Sequence, residues 1–201
     1  MHFFFKRFCL VALFFLWACH SNETKQGQVI NNKDSTEESQ PIFPVTEFLL
    51  GQLQEIDNLP ITPLKIIIDN DKKDSIWQKK KDIRPFATPF LNPVIDSTSM
   101  HNFFAEKSFM DQTINAVTLS YDPIKKLPDS MKLNHWDVYI DPQKNTVQRV
   151  YMVKEEIVNE TTITTQLTWK VNKSCSIRII KQQPKMAPDV KEEIMKWDFD
   201  D

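Results

Sequence analysis

Hydrophobic and polar positions recur with two different periods along this chain, and the period changes near its middle. In "PVTEFLLGQLQEIDNLP", from Pro44, Leu49, Leu53 and Ile56 return at helical spacing. Thr46 is placed to cap the first turn, Glu47 suits its positive end, and Asn58 and Pro60 stop it. "TPLKIIID" from Thr62 is short and β-branched, which predicts a strand, and "NDKKD" after it reads as a charged turn. Over "DSIWQKKKDIRPFATPFL" the positions Ile76, Trp77, Ile83, Phe86 and Phe90 fit one side of a helix kinked or broken near Pro85. "NFFAEKSFMDQ" from Asn102 is a second helical candidate, with Phe103, Phe104 and Phe109 turned to the core.

From Ala116 the period falls to two. Val117, Leu119 and Tyr121 share one face of a strand, as do Trp136, Val138 and Ile140 of the next, and "VQRVYMV" returns after the turn "DPQKN". "TTITTQLTWKV" alternates most cleanly, Ile163, Thr165, Leu167, Trp169 and Val171 against Thr164, Gln166, Thr168 and Lys170, and predicts a sheet with one wet face. "SCSIRII" and a final "EIMKWDF" add two more strands, and the last, around Trp197, is expected at an edge open to pairing with a partner. Helices followed by strands predict an α+β domain over 44–201, its N-terminal helices packed on one face of an antiparallel meander of about five to seven strands.

The amino terminus changes the expected address. Lys6 and Arg7 precede the apolar run Phe8 to Trp17, which falls short of the roughly 20 residues a stable membrane-spanning helix needs and reads as a signal-peptide core. Leu16-Trp17-Ala18-Cys19 then resembles the lipobox of bacterial lipoproteins, with bulky Trp17 the one departure. The resemblance implies cleavage after residue 18, lipidation of Cys19, and a membrane partner engaged through the acyl chains, since two or more chains anchor stably. Residues 19–43 form the lipidated cysteine and a tether too poor in apolar side chains to repay ordering.

Composition narrows the chemistry. Loss of residues 1–18 would remove Lys6 and Arg7 and move the formal charge from −2 to −4, so no nucleic-acid partner is expected. Gly27 and Gly51 are the only glycines, so phosphate-cradling loops, dinucleotide folds and nucleophile elbows cannot be written. No cofactor is implied. Neither His20, His101 nor His135 has a histidine or cysteine at zinc-ligand spacing, and His135 reads as an exposed imidazole at a strand start. Cys175 alternates with Ile177 and Ile179 as a small buried hydrophobe, and with Cys19 lipidated no internal disulfide is left. The "DNDKKD" run from Asp69 lacks the glycine of an EF-hand loop, and Lys79 to Lys81 reads as a solvated helix face.

The pieces "LLGQLQEID", "FMDQT", "VYIDP…VQRVYMV" and "QLTWK", in this order, resemble envelope lipoproteins of Bacteroidetes-type bacteria with no assigned chemistry. The resemblance implies the cell envelope, lipid-anchored at the outer membrane and facing the periplasm. Four sites, Ser35, Ser75, Ser97 and Ser130, follow an aspartate and precede Thr, Ile or Met, as in the O-glycosylation sequon of such proteins, although Asp-Ser suits caps and turns equally. No catalytic residue is picked out. The expected function is a non-enzymatic binding or structural role toward an envelope protein or polymer. The alternatives are a carrier of an apolar or lipid ligand near Phe86, Phe90, Phe103 and Phe104, and a glycan or peptide hydrolase built from two converging carboxylates.

Overall fold

Helix α1 (Val45–Asn58) buries Val45, Leu49, Leu53 and Ile56, the stripe its spacing predicts. The computed structural model describes residues 42–70, 72–98 and 100–199, so the leader, Cys19, Ser35 and the tether up to residue 41 lie outside the described residues, while Ile42, assigned to the tether from the sequence, is buried in the core. Thr46 does not cap the helix. Pro44 holds that position, and the Thr46 hydroxyl accepts the Ile95 N–H at 2.8 Å, fastening the first turn to a loop instead. At the other end Lys80 donates to the carbonyls of Asp57 and Leu59 at 2.6 and 2.8 Å, where the helix leaves carbonyls without helical partners.

Nine strands follow, more than the five to seven expected. They are β1 (Leu64–Asp69), β2 (Lys72–Trp77), β3 (Phe104–Asp111), β4 (Ala116–Pro123), β5 (Leu133–Asp141), β6 (Thr146–Val158), β7 (Thr161–Lys170), β8 (Ser174–Gln182) and β9 (Asp189–Lys196). All pairs are antiparallel, in the order β2-β1-β9-β8-β7-β6-β5-β4-β3. Two strands account for the excess. "KKDSIW", read as the end of a charged turn and the start of a helix, is the return arm of a hairpin, which leaves Ile76 and Trp77 exposed. "FAEKSFMD" is a strand, because Phe104 and Phe109 stand an odd number of residues apart and take opposite faces of a ladder. Phe104 is buried and Phe109 is not, against the expectation that both meet the core.

The β1–β2 hairpin docks on β9 and makes the last strand interior, so Trp197 lies buried and the edges are β2 and β3. Between the paired strands the turns use asparagine: Asn70, Asn115, Asn145, Asn159 and Asn172 all have φ of +48° to +60°. Asparagine tolerates this left-handed region because its short amide bonds locally, which lets a glycine-poor chain build a long meander. Helix α2 (Ile83–Ala87) contains Pro85 within its first turn, where the missing N–H would have had no helical partner.

One face of the sheet joins the helices in a single core. Tyr121, Leu133, Trp136, Val138, Met152, Leu167, Trp169, Cys175 and Met195 pack with the α1 stripe, Ile83, Ala87 and Phe90. Lys154 reaches from this face to donate to the carbonyls of Pro89 and Asn92, and burial pushes its amine down to about 8. No described helix is long and apolar enough to cross a membrane.

Candidate functional site on the open sheet face

The alternation that sends Trp136 and Val138 inward sends His135, Asp137 and Tyr139 to the other face of β5. There His135 lies between two carboxylates. Its Nδ1 is 2.9 Å from Asp122 Oδ1 on β4, and its Nε2 is 3.0 Å from Asp137 Oδ1. The chain of bonds runs on at both ends. Lys107 on β3 pairs with Asp122 at 2.9 Å, and the Tyr139 hydroxyl donates to Asp137 Oδ2 at 3.0 Å. Arg149, opposite Tyr139 on β6, holds its guanidinium 3.8 Å over the phenol ring.

The carboxylates set the charge of this row. The bond to Asp137, reinforced by Asp122, raises the His135 pKa against the opposing effect of burial. Burial works to raise Asp137, but the bonds from His135 and Ser120 hold it below the ordinary carboxylate range. His135 is therefore an imidazolium over a wider pH range than a free histidine, gripped from both nitrogens. Its raised folded pKa makes the contribution to stability complete below the ordinary value of 6.5 and lost as pH rises through the raised one. In urea titrations, the advantage of the wild type over His135→Gln is expected to shrink by about 1–2 kcal/mol between mildly acidic and alkaline buffer, discounted for partial exposure. A pH-independent difference would contradict the ion pairing.

At the end of the sheet the face dips into a depression of about 470 Å³ lined by Tyr139, Lys144, Arg149, Lys170 and Lys173 among others. On the same face Thr118, between Phe109 and Tyr139 on the neighbouring strands, is buried with its hydroxyl unpartnered among the described residues.

The residues singled out in the sequence are not gathered here, His135 excepted. Ser75 is exposed on β2 with its N–H bonded to Asp74, Ser97 follows Asp96 in the loop after α2, and Ser130 is exposed in the turn before β5. These three described serines lie on separate elements. His101 sits in a turn before β3, and Cys175 is buried, which pushes its thiol up. Of the lysine run, Lys80 is spent on the end of α1. Among the described residues no cluster of three His, Cys, Asp or Glu could hold a metal. His135 is half-buried and doubly bonded, not the exposed imidazole expected. The spacing His135-x-Asp137-x-Tyr139 was the available signal, since alternate strand residues share a face, but Asp122 arrives only through the β4–β5 register.

No protein-family model, curated protein or solved structure matches the chain.

Proposed function

We propose that this chain is a lipid-anchored envelope protein, held through Cys19, whose folded part binds a partner on the open face of its sheet without chemical turnover. The observation that supports it most directly is the bonded row Lys107, Asp122, His135, Asp137, Tyr139, whose side chains are held in place on a face that the core leaves uncovered. Fixed polar groups beside aromatic rings lose little rotamer freedom on binding, which is where interface affinity is usually lost. The hydrolase reading is weaker on geometry. Asp122 and Asp137 do face each other, but the His135 ring fills the space between them where a scissile bond would have to lie. The carrier reading needs room inside the core, and there Phe90 packs edge-on to Trp169 and Trp197 lies tilted against it, both at 5.6 Å, with Tyr121 stacked on Trp136 at 4.6 Å.

Two measurements test this. The native protein should have a mass that lacks residues 1–18 and gains acyl chains at Cys19; a free thiol or a retained leader would remove the anchor. The same spectrum shows whether hexose-sized increments are present, as glycosylation at Ser35, Ser75, Ser97 or Ser130 requires. A photo-cross-linker at Tyr151, on the open face between Asp137 and Thr168, should give adducts in cells that one at Leu50, exposed on α1, does not. Equal yields from both positions would overturn the assignment of the face.

A further inference from the structure

Along the open face, one row of cross-strand positions carries an unusual sequence of charges. Arg149 stands directly opposite Lys170, Lys170 opposite Ser174, and Ser174 opposite Lys196, so three cations line up across β6 to β9. Like charges placed directly opposite each other destabilise a sheet, and elsewhere on this sheet cations meet anions: Arg178 faces Glu192 and Lys65 pairs with Glu193. Arg149, Lys170 and Lys196 take part in none of the ion pairs between described residues. No carboxylate in these ion pairs offsets the repulsion between Arg149 and Lys170, which stand directly opposite each other.

The row has a defined shape. Neighbouring strands lie about 4.8 Å apart, which puts its cations at intervals of roughly 5 and 10 Å along a line of about 14 Å. At one end the depression adds Lys144, and Arg149 is held over Tyr139 there. At the other end Lys196 lies 5.3 Å over the Phe199 ring, which itself contacts exposed Trp77 at 5.7 Å. We infer that this row is a binding track for an acidic polysaccharide, lying across the strands with its carboxylates or phosphates on Arg149, Lys170 and Lys196 and a sugar ring against Trp77. The inference rests on the proposed binding role of this face and names its ligand class.

A linear polyanion fits better than an anionic membrane, because Asp137 and Glu192 stand on the same face one and two rows away and would meet a flat negative surface. A ring with one apolar face matches the exposed indole. The depression is of a size that holds small ligands, and Asp141 on its wall, whose carboxyl the backbone N–H groups of Lys144 and Gln143 hold below the ordinary carboxylate range, can accept from sugar hydroxyls.

The test uses the full-length protein in detergent, with polygalacturonate as probe, neutral dextran as control, and phosphatidylglycerol vesicles and oligodeoxythymidylate as competing polyanions. Polygalacturonate should bind with an affinity that falls as salt rises, and dextran should not bind. Arg149→Gln/Lys170→Gln should weaken binding about tenfold and Lys196→Gln several-fold, while Lys81→Gln, on the helical segment, should not change it. Chemical-shift changes in the wild type, confined to the strand ends from Tyr139 to Trp77, give the same answer without substitution. Absence of polygalacturonate binding, indifference to the row variants, or tighter binding of vesicles or oligonucleotide would overturn the inference. If the Tyr151 cross-linker still gives adducts in cells, only the ligand class fails; if it gives none, the binding role fails with it.

Discussion

Trp169→Ala is expected to lower stability by about 3–5 kcal/mol, enough to unfold much of the population of a domain of ordinary stability. Trp169 is fully buried near the end of β7, the central strand of the sheet, with Phe90 edge-on to its ring and Trp197 tilted against it, both at 5.6 Å. It therefore joins three parts of the chain: the helical segment, the middle of the sheet and the segment beyond β9. Truncation would leave a cavity that the β7 ladder, fixed on both sides, cannot collapse to fill. A second substitution sharpens the test. The indole N–H of Trp169 has no acceptor among the described residues, so it adds a desolvation cost to a ring otherwise held by packing. Trp169→Phe, which keeps most of the volume and removes that donor, should cost under about 1.5 kcal/mol. Urea midpoints with unchanged slope would measure both; similar losses for Ala and Phe would mean that the N–H, not the volume, matters.

The parts of the fold legible in the sequence were those whose pattern is local. Strands β4 to β8 follow from period-two alternation, and α1 from the spacing of Leu49, Leu53 and Ile56. The segments misread, Lys72–Trp77 as a charged turn running into a helix and Phe104–Asp111 as helical, are the two edge strands. An edge strand is bonded on one side only and keeps both faces partly wet, so its apolar residues need not alternate; Ile76, Trp77, Phe109 and Met110 are all exposed. The position of β9 was illegible for a different reason. Nothing within "EEIMKW" says that a hairpin more than a hundred residues earlier will pair with it, because that choice belongs to the packing of the whole sheet. The candidate site was hidden in the same way, since His135, Asp122 and Arg149 meet only through register.

The His135 row should answer most strongly to loss of Asp137. Its carboxylate accepts from His135 at 3.0 Å and from the Tyr139 hydroxyl at 3.0 Å, and its side chain is 13 % exposed, much less than that of Asp122. Asp137→Ala would strip the imidazolium of its better-buried partner and leave the phenol to water, a loss of about 2–3 kcal/mol at neutral pH. The His135 pKa, observable by NMR, should fall toward 6.5, because the bond from Asp137 is the largest cause of its elevation. Asp122→Ala should move both quantities in the same directions by less, since its carboxylate shares its charge with exposed Lys107. In the His135→Gln background much of the cost of Asp137→Ala should disappear, leaving the share due to Tyr139. Additive losses in that double-mutant cycle would show that the two side chains are neighbours without coupling, and the rigidity on which the proposed binding at this face depends would have to come from the backbone alone.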